Sequence, residues 1–261
     1  MNYNNKIIHG DCLEVMKDIP DKSVDMILCD LPYGTTACKW DTVIPFEPLW
    51  EQYKRIIKDN GAIVLFGSEP FSSALRMSNI KNYKYDWVWV KNRPIGHTQA
   101  KNKPMNKYEN IMIYSDGVTV HKGQSNKRMG YYPQGLIRVD RVVKNSNSDL
   151  EKGSDSGFSK RQSHKKEYHQ EFTNYPHNVL EFNLERGLHP TQKPVALFEY
   201  LIKTYTNEGE VVLDNCIGSG TTAVACINTN RKFIGIEKDE EYFKIAQERT
   251  DKALVNKHIY Q

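Results

Sequence analysis

Residues 210–222 read EVVLDNCIGSGTT, an apolar run that passes through a glycine-rich turn into a helical pattern. Glycines in such a turn let the backbone approach a ligand, and the start of the following helix offers free N–H groups. Glu237 ends the next apolar run, at a spacing typical of an acid that binds ribose hydroxyls. The pattern predicts a site for an adenosine-containing cofactor. A tight turn beside a surface acid is the purely structural alternative.

The same alternation of strands and helices extends outward along the chain. Short apolar runs bounded by polar residues or glycine predict strands buried on both faces, and apolar stripes predict helices between them. This alternation predicts an α/β fold with a mostly parallel sheet. The predicted strands are 25–30, 62–67, 85–90, 110–114, 210–214 and 232–237. Helices are predicted from 45–48 to a stop at Asn60 and Gly61, over 71–77, along Val195, Phe198, Leu201 and Ile202, after Gly220, and over 240–255.

Composition narrows the class of protein. The chain has 261 residues, of which 39% are hydrophobic and 11% aromatic, which is enough to bury a core. It contains no run of about 18 apolar residues and no apolar signal segment near Met1, so we expect no membrane span and no secretion. Its five cysteines are scattered, without CxxC pairs or zinc-ligand spacing. We therefore expect a reducing compartment, the cytoplasm, and no metal.

Positive charge is concentrated in the middle of the chain. Residues 92–170 hold 15 basic and 7 acidic residues, against 21 and 25 in the rest. Such a distribution is typical of a lobe that faces a polyanion, although a solvated basic loop has the same charge. Residues 144–170 are so polar that we expect no packed element there. Candidates for base or phosphate contacts are Arg93, Lys127, Arg128, Arg138 and Arg141.

A second motif, Asp30-Leu31-Pro32-Tyr33-Gly34, follows the predicted strand 25–30. In open α/β sheets ligands bind beyond the carboxyl ends of the strands. The Asp30 carboxylate and the Leu31 carbonyl can accept both hydrogens of a planar amino group, while the Tyr33 ring stacks on the ring that bears it. A β-turn without function is the alternative for this motif taken alone.

Together the two motifs resemble those of the S-adenosylmethionine-dependent DNA amino-methyltransferases, which methylate adenine N6 or cytosine N4. The family's catalytic tetrapeptide, Asp/Asn/Ser-Pro-Pro-Tyr/Phe, is matched by Asp30, Leu31, Pro32 and Tyr33, with leucine in place of the first proline. The order, with the catalytic motif first and the cofactor loop last, resembles the permuted group labelled β. The resemblance implies a doubly wound, Rossmann-like methyltransferase sheet that carries a basic target-recognition insertion.

The resemblance also implies roles for individual residues. The four tetrapeptide residues would be catalytic, and the Leu31 carbonyl would survive the change from proline. The segment from His189 to Pro194 resembles the one that binds the methionine part of the cofactor, with Lys193 as a partner for its carboxylate. Asp11 would contact the adenine. The full set implied to bind the cofactor is Asp11, Asp30, Thr191, Lys193, Asp214, Gly218, Ser219, Gly220, Thr221 and Glu237.

The implied organisation is a catalytic half at 1–91, a target-recognition insertion with some core strands at 92–188, and a cofactor-binding half at 189–261. The partner would be double-stranded DNA, with adenine N6 as the target because Asp at the first motif position resembles the adenine-specific members. The resemblance further implies a homodimer and a link to restriction–modification.

Other activities stay open as alternatives. Methylation of cytosine N4 would use the same core. A nicotinamide-dependent oxidoreductase would explain the glycine-rich turn and Glu237, but it would leave Asp30–Tyr33 without a role. A non-catalytic nucleic-acid-binding protein would explain the basic insertion alone. Methylation of cytosine C5 needs a Pro-Cys nucleophile, which the sequence lacks, and the motif order argues against a glutamine methyltransferase.

Overall fold

The computed structural model describes residues 3–35, 41–119, 125–144, 167–185 and 192–259. It divides into two compact units, of which the larger comprises Met1–Tyr132 and Asn178–Gln261 and the smaller comprises Pro133–His177. The larger unit contains the eight-stranded sheet. The smaller unit is a two-stranded antiparallel hairpin with its connecting segments.

The structure has ten strands in its described residues: β1 Lys6–His9, β2 Val24–Cys29, β3 Ile57–Gly67, β4 Tyr83–Ile95, β5 Asn106–Tyr114, β6 Ile137–Lys144, β7 Glu167–Thr173, β8 Val179–Phe182, β9 Val211–Asp214 and β10 Lys232–Glu237. The eight-stranded sheet is built from both ends of the chain, in the order β1-β10-β9-β2-β3-β5-β4-β8. Among these strands only β5 runs antiparallel to its neighbours, so the expected mostly parallel sheet is confirmed. Strands β9 and β2 are adjacent, which joins the two halves of the chain at the middle of the sheet.

Helices cover both faces of this sheet. Successive residues of β2 alternate between them: Met26 and Leu28 pack in one hydrophobic core, Ile27 and Cys29 in the other. This alternation follows from the period of two in a strand, and it explains why the run is apolar throughout. The expected doubly wound α/β sheet is therefore confirmed. The helices are α1 Cys12–Met16, α2 Phe46–Ile56, α3 Phe71–Ser78, α4 Val195–Tyr205, α5 Thr221–Asn228 and α6 Glu240–Ile259.

The end of α2 differs from the sequence prediction. The helix ends at Ile56, and Asn60 and Gly61 lie inside β3. Gly61 is required there by close packing, because a Cβ atom on it would lie 2.7 Å from the Asp25 carbonyl oxygen of the neighbouring strand. An Asn-Gly pair that resembles a helix stop therefore marks a close approach between two strands.

The polar segment also differs in part from its prediction. Strand β7 begins at Glu167, so 167–170 are not the unpacked chain that was expected. Cross-strand pairing with β6 orders these residues, with Tyr168 opposite Val143 and His169 opposite Val142. Residues 145–166 lie outside the described part of the chain.

Residues 92–188 contribute to both units. Strand β5, the end of β4 and β8 belong to the eight-stranded sheet, and β6 and β7 form the hairpin. Among the described residues, no helix is long and apolar enough to cross a membrane. No group of three or more His, Cys, Asp or Glu side chains in the same ranges is arranged to hold a metal ion.

Candidate active site

A cavity of about 1090 Å³ opens at the carboxyl ends of the parallel strands. Both sequence motifs line it. Eleven of the site residues predicted from the sequence contribute to its wall: Asp11, Asp30, Leu31, Pro32, Tyr33, Lys193, Asp214, Gly218, Ser219, Thr221 and Glu237. The sheet thus brings the amino-binding motif and the glycine-rich turn into one site, as expected where strands end at a common edge.

The glycine-rich turn is fixed at its base by Asp214. The buried carboxylate of Asp214 accepts hydrogen bonds from the Cys216 N–H at 3.1 Å and from the Thr222 hydroxyl. Burial raises the pKa of Asp214 to about 7, although those hydrogen bonds oppose the shift. The turn therefore has a rigid, buried acid under the segment that lines the cavity.

Gly218 and Gly220 both adopt the left-handed conformation, with φ of 54° and 85°. Gly220 precedes helix α5, and a Cβ atom there would lie 3.2 Å from the backbone of Ala246 in α6. Ser219 and Thr221 also contact α6. The Arg249 guanidinium of that helix lies 3.3 Å from the Ser219 hydroxyl and 3.1 Å from the Thr221 hydroxyl. These contacts hold the N-terminus of α5 against α6 at the edge of the cavity.

Glu237 lies at the end of β10 and is tied directly to the turn. Its Oε2 accepts the Gly218 N–H at 2.8 Å, and its Oε1 accepts the Asp239 N–H at 2.9 Å. Burial raises the pKa of Glu237 above its ordinary value, against the pull of these backbone donors. Each carboxylate oxygen retains a lone pair, so Glu237 can accept further hydrogen bonds from ligand hydroxyl groups.

Asp11 lies at the end of the cavity near β1. One of its oxygens accepts the Leu13 N–H at 3.0 Å, and the other lies 3.0 Å from the Lys238 ammonium. Burial raises the pKa of Asp11, but the donors from Lys238 and the backbone outweigh it and hold the pKa below its ordinary value. Asp11 is therefore an anionic acceptor in the cavity wall.

Asp30 follows β2 and faces the middle of the cavity. Its Oδ1 accepts the Tyr33 hydroxyl at 2.7 Å. The Tyr33 ring stacks on Phe71, with ring centroids 5.0 Å apart. Leu31 is buried, with 4% of its surface exposed, and its side chain packs in the core below β2. Packing thus supports the loop at the position where the family motif has proline.

Lys193 joins the tetrapeptide to two residues that the sequence analysis missed. Its Nζ lies 2.5 Å from Asp30 Oδ2 and 3.3 Å from Glu109 Oε2. Glu109 in turn accepts a hydrogen bond from Lys91 at 2.5 Å. An ammonium has three donors, of which one bonds Asp30 and a second faces Glu109, so at least one N–H of Lys193 remains for a ligand carboxylate, the role that the resemblance implies for it.

The sequence held a signal for Glu109 and Lys91. Glu109 precedes the apolar run 110–114 and Lys91 follows the run 85–90. Because β5 is antiparallel to β4, these two positions lie at the same edge of the sheet. A charge at the cavity end of each of two neighbouring buried strands was the pattern to look for. Thr191, with His189 and Pro190, lies outside the described residues.

Comparison with known proteins agrees with this site. The family model N6_N4_Mtase, described as DNA methylase, matches residues 24–248. The DNA adenine methyltransferase YhdJ of Escherichia coli (strain K12) is 31% identical over 271 residues, covering 97% of this chain and 84% of that protein. The type II methyltransferase M.HpaI of Haemophilus parainfluenzae is 27% identical over 267 residues, covering 95% of this chain and 74% of that protein.

Solved structures show the same fold. The crystal structure of the M1.HpyAVI–SAM complex is 26% identical, with a TM-score of 0.58 over 94% of this chain and 98% of that one. The cytosine-N4-specific PvuII DNA methyltransferase is 14% identical, with a TM-score of 0.62 over 98% of this chain and 92% of that one. At this identity the likeness supports the fold alone. With a family model that covers most of its length and both motifs in one cavity, this chain belongs to the DNA methylase family.

Proposed function

We propose that the protein transfers a methyl group from S-adenosylmethionine to the N6 amino group of an adenine flipped out of double-stranded DNA. The observation that carries the proposal is the place of Asp30. Its carboxylate faces the same cavity as the glycine-rich turn and Glu237. An amine acceptor and an adenosine-type site are thereby combined in one enclosed space.

The residues of the cavity fit the cofactor. Glu237 and Asp11 supply anionic acceptors for ribose hydroxyls and the adenine amino group, and apolar side chains such as Leu13 and Ile217 line the wall between them. Gly218 has open space at its Cβ position, so a ligand can approach the backbone there. The free N–H of Lys193 suits the carboxylate of the methionine part. Thr191 stays a proposed member of the set.

S-adenosylmethionine, when bound, supplies an electrophilic methyl group on a positively charged sulfur and leaves as a neutral thioether. Asp30 accepts a hydrogen bond from one amino hydrogen of the target base, and the Leu31 carbonyl accepts the other. These bonds increase the electron density on the nitrogen and direct it toward the methyl group. As the N–C bond forms, the nitrogen becomes cationic and loses one proton to the Asp30 carboxylate. Tyr33 provides an aromatic surface beside the base.

Asp30 suits the task of accepting a proton. Burial raises its pKa, while Lys193 and the Tyr33 hydroxyl hold it down. A carboxylate with a raised pKa is the better proton acceptor, provided that it is ionised at the start of the reaction. Burial raises the pKa of Asp30, and the Lys193 ammonium, 2.5 Å from Asp30 Oδ2, favours the ionised form.

DNA must present the base outside the stack, because the amino group cannot reach Asp30 within a duplex. The unpairing costs a few kcal/mol, which stacking and phosphate contacts offset. The excess of basic residues in 92–170 supports such contacts. We infer that DNA binding weakens steeply with added salt. A reaction on chromosomal DNA also agrees with the cytoplasmic location expected from the sequence.

Adenine is favoured over cytosine on two grounds. The first position of the tetrapeptide is Asp30, which resembles the adenine-specific members. YhdJ, which is similar over 97% of this chain, is named a DNA adenine methyltransferase. Cytosine N4 is the second candidate, since the family model covers both kinds of enzyme by name. A nicotinamide-dependent reaction is not retained, because it gives Asp30 no role.

The test is product analysis. The protein is incubated with S-adenosylmethionine labelled in the methyl group and with unmethylated DNA, and the labelled nucleoside is identified by mass. We expect labelled N6-methyl-2′-deoxyadenosine, and its loss in Asp30→Ala, while the exposed Asp59→Ala retains it. Labelled N4-methyl-2′-deoxycytidine would overturn the choice of base. Absence of label from every nucleoside would overturn DNA methylation itself. Light scattering of the same preparation tests the proposed homodimer.

A further inference from the structure

Four charged side chains are buried together beside the tetrapeptide. Exposed fractions of the side chains are 3% for Lys91, 7% for Lys193, 10% for Glu109 and 22% for Asp30. They come from β4, the segment before α4, β5 and the loop after β2. Two carboxylates and two ammonium groups give the cluster no net charge. Such a group is costly to bury, so a purely structural role would be served better by apolar side chains.

One atom of the cluster lacks a hydrogen bond. Glu109 Oε2 is buried and accepts none from the described residues, although the Lys193 ammonium lies 3.3 Å away. Its companion Oε1 accepts Lys91 at 2.5 Å. Buried acceptors in native proteins are nearly always satisfied, and a catalytic role is one of the recognised reasons for an exception. Glu109 also lines the cavity that contains Asp30.

Each carboxylate oxygen of Asp30, by contrast, already accepts one donor. Tyr33 donates to Oδ1 at 2.7 Å and Lys193 donates to Oδ2 at 2.5 Å. An incoming amino group adds a second donor to one of these oxygens and competes with the donor that is already there. Tyr33 is held by its own stacking on Phe71, whereas Lys193 has a second carboxylate within reach. Lys193 is therefore the donor that can move.

We propose that Glu109 is a positioning residue for methyl transfer, whose Oε2, 3.3 Å from the Lys193 ammonium, becomes the hydrogen-bond acceptor for that ammonium when the amino group of the target base binds Asp30 Oδ2. This inference rests on the reaction proposed above. The ammonium lies within ion-pair distance of both carboxylates, at 2.5 Å from Asp30 Oδ2 and 3.3 Å from Glu109 Oε2, so it stays paired as it moves. The cluster thereby opens an acceptor on Asp30 without leaving a buried charge alone.

The electrostatics of the two carboxylates support different roles for them. Burial raises the pKa of Asp30. Burial also acts to raise the pKa of Glu109, but Lys193 and Lys91 outweigh it and hold the pKa below its ordinary value. Glu109 therefore stays ionised and can anchor Lys193, while Asp30 takes up the proton from the amine. The negative charge of Glu109 itself contributes to the raised pKa of Asp30.

The first experiment compares Glu109→Gln with the parent protein in single-turnover methylation of unmethylated DNA at a series of pH values. Glutamine keeps the size of the side chain but cannot anchor an ammonium by charge. Lys193 then stays on Asp30, so we expect the rate to fall at least tenfold. Because Asp30 loses a like-charged neighbour, its pKa falls, and the acid limb of the rate profile should move to lower pH.

Other titratable groups that face Asp30 are the Tyr33 phenol, the Cys29 thiol and the Asp214 carboxyl. All three are the same in both proteins, so a displaced acid limb reports the change at position 109. Asp25→Asn is the matched control. The Asp25 side chain is 11% exposed and lies 2.5 Å from the Lys58 ammonium, outside the cavity. Its loss should lower folding stability and leave the acid limb in place.

The second experiment measures whether Glu109 acts through Lys193. In a Lys193→Met background, Glu109→Gln should change the rate less than threefold, because the partner is already gone. A further tenfold loss would overturn the proposal. If Lys193→Met does not fold, the pH profile of Glu109→Gln decides, and an unmoved acid limb overturns the proposal.

The same measurements separate this proposal from the proposed function. If the parent protein labels no base in DNA, the proposed function and this role of Glu109 both fail. If the parent labels adenine and Glu109→Gln methylates at the parent rate, only the proposed role of Glu109 is overturned.

Discussion

Gly218 donates its N–H to Glu237 Oε2 at 2.8 Å, and this bond ties the glycine-rich turn to the end of the neighbouring strand. The two residues are 19 positions apart, with helix α5 between them. The carboxylate thus does two things. It holds the turn in its left-handed conformation and presents its remaining lone pairs to the cavity. Replacing either carboxylate oxygen of Glu237 should therefore weaken ligand binding more than it lowers the stability of the fold.

Glu237→Gln should weaken the binding of S-adenosylmethionine about tenfold, on the order of 1.4 kcal/mol. The amide keeps one oxygen, but its NH₂ group cannot accept the Gly218 or Asp239 N–H, and one buried donor is left without a partner. Titration calorimetry measures the dissociation constant. Glu240→Gln, at the exposed start of α6, is the control and should bind as the parent does. Equal affinity for Glu237→Gln would refute the assigned role.

Gly220→Ala should destabilise the protein more than Gly209→Ala. Both glycines are left-handed, at φ of 85° and 80°, so alanine at either site costs about 1 kcal/mol in backbone strain. Only Gly220 is also crowded, because its Cβ would lie 3.2 Å from the Ala246 backbone, whereas Gly209 has nothing within 4 Å. We expect a loss of about 2 kcal/mol or more at Gly220, measured by urea denaturation. Equal losses at both sites would show that crowding by α6 has no effect.

Asp214→Asn should remove a pH dependence of stability. Burial raises the pKa of Asp214 from 3.8 to about 7, so the folded state favours the protonated form. Its contribution is fully present below pH 3.8 and is lost as the pH rises through about 7. Between pH 5 and pH 8 this group should lower the free energy of unfolding by on the order of 3 kcal/mol. The asparagine variant should lack that decrease in urea denaturation at the two pH values; a parallel decrease in both proteins would contradict the assignment.

Arg141→Gln should reduce the salt dependence of DNA binding, and Arg138→Gln should do so less. Arg138 lies 2.6 Å from the Asp140 carboxylate, whereas the Arg141 guanidinium donates to the neutral Gln170 side chain at 2.9 Å. The charge of Arg141 is therefore the more available for a phosphate. Loss of one phosphate contact lowers the slope of log affinity against log salt by about 1. Fluorescence anisotropy with duplex DNA measures that slope. Identical slopes for both variants would contradict a phosphate contact by Arg141.

Local patterns in the sequence were enough to predict most of the strands and helices and both motifs. Apolar runs such as 25–30 and 232–237 form strands that are buried on both faces of the sheet. Burial on both faces makes consecutive residues apolar, so it can be recognised in the sequence. The glycines at 218 and 220 likewise mark a turn whose conformation is a local requirement. These features predicted an α/β sheet, a cofactor turn and an amino-binding motif, and they led to the correct family.

Tertiary structure alone decided which charges are buried and what they contact. Lys193 and Asp30 are 163 positions apart, and Glu109 and Lys91 reach the same point from an antiparallel pair of strands. Gly61, which resembles a helix stop, is instead required by the carbonyl of a neighbouring strand. Periodicity describes neighbours along the chain, so it cannot show which distant side chains share a low-dielectric space. That sharing sets the charge and the hydrogen bonds of Asp30, because burial strengthens each interaction that the folded chain brings together.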